Sequence, residues 1–107
     1  MNEPYTYEMT PSAFQDLDDA LHYISIKLHA NESALRLLDD IQSAIDRACR
    51  YPHAISPVND ELLKARGYRK LIVRNYLILL IPDDDNHVLN IMRIVYYAKD
   101  YVRELNN

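Results

Sequence analysis

A chain of 107 residues, 49% hydrophobic and 26% charged, has the size and balance of one globular domain and not of a disordered tail or a string of modules. Its single glycine excludes the Gly-rich loops that cradle phosphates, and its single cysteine excludes a disulfide framework or a thiolate metal site and suits a reducing cytoplasm. The net charge of −4 is unevenly spread, with eleven acids against four bases in residues 1–62 and eight bases against five acids in residues 63–107.

The opening MNEPYTYEM carries an early acid and no apolar run, so no signal peptide is expected, and no stretch reaches the roughly 20 apolar residues of a membrane span. Tyr5, Tyr7 and Met9 alternate with Thr6 and Glu8, which predicts a short half-buried strand. Thr10-Pro11 reads as an N-cap followed by proline at the first helical position. Phe14, Leu17, Leu21, Ile24 and Leu28 then recur at three- and four-residue steps, one apolar stripe of a long helix, with Asp16, Asp18 and Asp19 placed early where the dipole favours acids. Asn31 can cap a second helix, whose stripe is Leu35, Leu38, Ile41, Ile45 and Ala48 and which stops at Tyr51-Pro52. The two helices form an αα-hairpin that needs a third surface to pack on.

Pro52, Pro57, Asn59 and Asp60 break the pattern, leaving an irregular connection with at most a short helical turn over Asp60–Arg66. After Gly67 the composition turns to β, in three runs separated by Arg74-Asn75 and by Pro82 to Asn86, and Tyr101, Val102 and Leu105 suit a short terminal helix. The expected architecture is α+β: one domain over residues 1–107, β-α-α-β-β-β with a short C-terminal helix, the helix hairpin packed on an antiparallel sheet. With Val73 opposite Tyr76, alternation places Arg69, Leu71, Val73, Tyr76, Ile78, Leu80, Leu89, Ile91, Arg93 and Val95 on one face. Tyr68, Lys70, Ile72, Leu77, Leu79, Ile81, Val88, Asn90, Met92, Ile94 and Tyr96 take the other. Both faces are mostly apolar, the helices cover one, and the second calls for a partner.

The candidate chemistry is narrow. His22, His29, His53 and His87 have no ligand spacing, Asp83 to Asp85 lack the spacing of a Ca²⁺ loop, and no serine elbow or Cys/His pair is present, so neither metal nor cofactor is expected. What remains is a cationic, tyrosine-bearing group in the second half: Lys64, Arg66, Arg69, Lys70, Arg74, Arg93, Tyr96, Tyr97 and Lys99. Such residues suit an RNA backbone with an unstacked base, and cations can stabilise the extra charge of a phosphorane. On residue types alone the plainer alternative is favoured, in which Arg69 and Arg93 pair with acids beside the core and the tyrosines cap it.

The order Thr10-Pro11-Ser12-Ala13, Asp16-Leu17, Tyr23-Ile24, Tyr51-Pro52, Gly67-Tyr68-Arg69, Asn75-Tyr76, Arg93-Ile94-Val95-Tyr96 and Lys99-Asp100 resembles the RelE/ParE superfamily, toxins of bacterial type II toxin–antitoxin modules, over nearly the whole chain. The resemblance implies a cytoplasmic growth inhibitor, of the kind linked to plasmid stabilisation, neutralised by a cognate antitoxin whose tail would cover the second apolar face. It leaves a homodimer and a toxin–antitoxin hetero-oligomer open. RelE-like members cleave mRNA on the ribosome without a metal, and in that reading Arg69, Lys70, Arg93 and Tyr96 are the catalytic set. ParE-like members inhibit DNA gyrase, and Lys64, Arg66, Arg74, Tyr97 and Lys99 are then candidates for contacting the target. This chain has Leu77 where RelE-type nucleases carry an arginine, and its pattern around Arg93 and Asp100 is closer to the ParE-like branch. A degenerate member that only binds an antitoxin is the third reading.

Overall fold

The computed structural model describes residues 3–97 and 105. Strand β1 (Thr6–Met9) leads into helix α1 (Pro11–His22), which continues as a π-helical turn over Tyr23–Lys27. Helix α2 (Asn31–Arg50) follows, then a 3₁₀ turn (Pro52–Ala54), a two-residue strand β2 (Ser56–Pro57) and the short helix α3 (Glu61–Ala65). The chain then runs back and forth as β3 (Arg69–Val73), β4 (Tyr76–Asp83) and β5 (Val88–Tyr96). The expected α+β architecture is present, as one five-stranded sheet in the order β1-β5-β4-β3-β2 with the helix hairpin on one face. The sheet is mixed, because β1 adds to β5 in parallel, Thr6 opposite Val88, while the other pairings are antiparallel. Tyr101 and Val102 of the expected terminal helix lie outside the described residues, whereas Leu105 is helical.

Thr10 fixes the start of α1 in two directions. Its hydroxyl oxygen accepts from the Ala13 N–H at 3.0 Å, the N-cap bond, and its hydroxyl donates to the Met92 carbonyl on β5 at 2.9 Å. Met92 is the extra residue of a bulge, since Leu79 faces Arg93 while Leu80 faces Ile91. Thr10→Ala is therefore expected to cost about 2 kcal/mol by removing a cap and a cross-element bond together. Thr10→Ser should recover most of that loss in urea unfolding.

The bulge corrects the expected faces of β5. Leu89 and Ile91 point to the helices as predicted, but beyond Met92 the alternation inverts, so Ile94 joins the helix-side core and Val95 the opposite one. The main core is built from Leu37, Ile41 and Ile45 of α2 against Ile78, Leu80, Leu89 and Ile91, all at most 2% exposed. The stripe on α2 is displaced by one residue at its start: Ala34 and Leu37 are buried, and Leu35 stands 67% exposed. On α1 and the π-helical turn after it, Ala13 is buried and Leu17, Leu21 and Ile24 pack on the core, while Phe14 and, just beyond the turn, Leu28 remain exposed.

The second face of the sheet is covered partly by the chain itself. Val58, Leu63, Leu77, Leu79 and Val95 form a smaller core, with Tyr68 and Leu105 packed on it. Asp60 caps α3 by accepting from the Leu63 N–H at 2.9 Å, and the helix ends in a Schellman motif. There Tyr68 N–H donates to the Leu63 carbonyl at 3.1 Å and Gly67 N–H to the Lys64 carbonyl at 3.0 Å, with Gly67 at a φ of 89° that favours glycine. The same motif brings Leu63 and Tyr68 into one cluster. Strand β4 is thus buried on both sides, which explains its unbroken apolar run.

Candidate functional site

Arg93 is the most firmly placed of the sequence-selected cations. Its Nε and Nη2 donate to the two carboxylate oxygens of Asp16 at 2.7 and 3.1 Å, a bidentate pair with both side chains at most 25% exposed. The same carboxylate accepts from the Ile94 backbone N–H at 2.9 Å. Asp16 is not in the first turn of α1, where the dipole would reward it; it sits one turn later and faces the bulge.

Around this pair, Asp19, Tyr23, Tyr76 and Tyr96 complete a cleft of about 470 Å³ between α1 and β5. Tyr76 and Tyr96 are opposite each other in register and meet edge to face at 5.6 Å. Burial, then the nearby Tyr96 and Tyr23, push the Tyr76 phenol above its ordinary value, so it stays protonated at neutral pH and can donate a hydrogen bond but not act as a base. Tyr96 also lines a neighbouring cleft of about 440 Å³ with Ile72, Arg74, Asn75 and Tyr97, which joins the two along the β3–β4 hairpin. There Arg74 donates to Asp40 of α2 at 2.6 Å, and the Tyr97 backbone N–H donates to the Asn75 carbonyl at 2.6 Å.

The remaining candidates lie elsewhere. Arg69 Nη1 donates to the Ile55 carbonyl at 2.7 Å. In register it is opposite Leu80, four residues along β4 from Tyr76, about 13 Å from the level of Tyr96. Lys70 on β3 and Arg93 on β5 flank Leu79 of β4 from opposite sides, two strands apart, and Lys70 is half-buried and opposite Ser56. Lys64 on α3 and Arg66 after it are exposed. Lys99 lies outside the described residues. The structure therefore gathers Arg93, Tyr96, Arg74 and Tyr97 at one end, joins Tyr23, Tyr76 and Asp16 to them, and leaves Arg69, Lys64 and Arg66 apart. Among the described residues no three of His, Cys, Asp and Glu converge to hold a metal ion, and no helix is long and apolar enough to cross a membrane.

At the other end of β5, the Tyr5 hydroxyl donates to Asp84 at 2.7 Å and its ring stacks on His87. The bond to Asp84 and then burial raise the Tyr5 phenol above its ordinary value. The folded chain holds that proton more tightly than the unfolded chain, so the contribution is intact below pH ~10 and is lost as pH rises through the raised folded value. Urea midpoints should fall above that pH, and Tyr5→Phe should remove part of the fall.

A family model described as the ParE toxin of type II toxin-antitoxin system, parDE, matches residues 7–101. Among solved structures, the chromosomal ParDE system from P. aeruginosa superposes with a TM-score of 0.65 at 20% identity, covering 86% of this chain and 95% of that one. The toxin–antitoxin complex RelBE2 from Mycobacterium tuberculosis gives a TM-score of 0.63 at 21% identity, covering 92% of this chain and 98% of that one. No curated protein matches the sequence. Both structural likenesses are of fold, and they join the two branches that the sequence resembled. The family match extends from β1 through the bulged strand to the C-terminal segment, and on it the chain belongs to the ParE toxins of type II toxin–antitoxin systems, within the RelE/ParE superfamily.

Proposed function

We propose that this chain arrests growth when free, is silenced by a cognate antitoxin, and acts on DNA gyrase and not as a ribosome-dependent nuclease. The observation that carries the choice of target is the engagement of three arginines by partners within the chain. Arg93 is held by Asp16, Arg74 by Asp40 and Arg69 by the Ile55 carbonyl. Stabilising a phosphorane calls for cations preorganised toward its oxygens, and a guanidinium already neutralised by a carboxylate contributes little there. The net charge of −4 points the same way, since docking into ribosomal RNA relies on cation contacts.

Phe14, Ile26 and Leu35 on the helix hairpin and Ile72 on β3 are each more than half exposed, apolar side chains that an antitoxin segment could cover. Both structural neighbours come from toxin–antitoxin systems, which supports such a partner. Gyrase and antitoxin would both be met in the cytoplasm, and a plasmid-borne pair of this kind would serve plasmid stabilisation.

Brief induction of the chain alone in a sensitive bacterium tests the reading. Growth should stop with DNA breaks and intact transcripts, and co-expression of the protein encoded beside it should restore growth. Transcripts cut within translated codons would instead establish the nuclease reading and make Arg69, Lys70, Arg93 and Tyr96 the residues to substitute. Normal growth would leave an inert antitoxin-binding member.

A further inference from the structure

About 26 Å along β5 from Tyr96, the end of α2, the 3₁₀ turn and the β4–β5 turn enclose a separate cleft. Its volume is about 520 Å³, and Glu3, Tyr5, Arg50, Tyr51, His53 and His87 line it. Clefts of roughly 300–1,000 Å³ are the size that hold small-molecule ligands. The side chains differ in kind from those around Arg93. Arg50 and His53 have no hydrogen-bond or ion-pair partner among the described residues, whereas Arg36, Arg74 and Arg93 each have a carboxylate. Tyr51 is 63% exposed and has no ring partner among the described residues.

Two of the walls are held in place. The His87 ring lies parallel to Tyr5 at 4.9 Å and 9°, and Tyr5 is in turn fixed by its bond to Asp84. An imidazole held by its ring contact, together with a guanidinium and a second imidazole that have no partner among the described residues, line one space with N–H donor groups, the recognition chemistry of a phosphoryl group. The exposed Tyr51 ring offers a stacking platform for a base. Glu3 is the single acid among the lining residues, and a carboxylate accepts from ribose hydroxyls.

We infer that this cleft binds a nucleoside 5′-monophosphate unit, with the phosphoryl group on Arg50, His53 and His87, the base on Tyr51 and the ribose on Glu3. The unit is the same chemistry whether it is a free nucleotide or the phosphorylated end of a strand. The site shares no residue with the Arg93 cleft, so it stands apart from the choice between gyrase and ribosome.

The four histidines make the test direct, because each gives a resolvable imidazole proton in a nuclear magnetic resonance titration. Adenosine monophosphate added at fixed pH should shift His53 and His87 saturably while His22 and His29 stay still. Arg50→Ala should weaken binding about tenfold with the melting temperature unchanged, since the side chain is exposed. Tyr51→Leu should reduce the affinity for adenosine monophosphate to that for inorganic phosphate. Competition by a 5′-phosphorylated tetranucleotide would assign the unit to a strand end, and failure to compete would assign it to a free nucleotide; either supports the site. No response of His53 and His87, an equal response of all four histidines, or binding unchanged in both variants would overturn it.

Discussion

Asp16→Ala should destabilise the fold by about 3 kcal/mol, more than any other single polar substitution, and lower the melting temperature by about 10–20 °C. The carboxylate serves three donors at once, Arg93 Nε, Arg93 Nη2 and the Ile94 N–H. Removing it leaves a guanidinium in a mostly buried position beside a backbone donor without its acceptor, the situation in which a broken pair costs far more than the pair itself contributed. Asp16→Asn keeps an oxygen for Ile94 and loses the charge, so its effect should be smaller. Substituting Arg93→Ala in the Asp16→Ala background should cost less than Arg93→Ala in the native chain, because the two share one interaction. Thermal melts followed by circular dichroism suffice, and an Asp16→Ala chain as stable as the native one would refute the role given to the Asp16 carboxylate.

Leu63→Ala is expected to cost about 3 kcal/mol, within the range for buried leucines whose cavity cannot collapse. Leu63 is fully buried, but the cluster around it is small and rests on a five-residue helix. The main core has no such weakness, since three turns of α2 close over six buried strand positions, Val73, Ile78, Leu80, Leu89, Ile91 and Ile94. The loss should therefore be local first. Hydrogen exchange should quicken across α3 and at Tyr68, whose N–H is bonded to the Leu63 carbonyl, while α2 and β4 keep their protection. Uniform acceleration through the sheet would show that the second core is part of one cooperative unit.

Much of this architecture was legible because its signals are local. Thr10-Pro11 announced the start of α1, and period-2 alternation placed Tyr76, Leu77, Ile78, Leu79 and Leu80 of β4 on their correct faces. The errors fall where distant parts of the chain decide. Helix α2 contains two interleaved apolar stripes, and burial of Ala34 and Leu37 over Leu35 is chosen by α1 and the sheet, not by spacing. The bulge at Met92 has no glycine or proline to mark it, so Ile94 and Val95 were exchanged. Residues 58–63 looked like connecting loop, and their two buried side chains, Val58 and Leu63, supply part of the cover that had been assigned to a partner. The candidate site was legible in its residue types but not in its pairing. Arg93 and Tyr96 could be selected as a cation and an aromatic, yet Asp16 lies 77 residues from Arg93 and nothing local ties them. The family resemblance survived these errors because it rested on the order of many short motifs and not on any one face.

Strand β2 consists of two residues, and one of them is proline. The Val58 N–H donates inward to the Tyr68 carbonyl at 3.4 Å, so the alternation of an antiparallel ladder turns the Pro57 nitrogen outward, toward the open side of the sheet. That nitrogen carries no hydrogen. Another chain approaching this border meets no outward amide to pair with, in a strand too short to template one. A protein with such apolar strands, made quickly and left without a companion, is thereby guarded at this margin against polymerising strand by strand into aggregates.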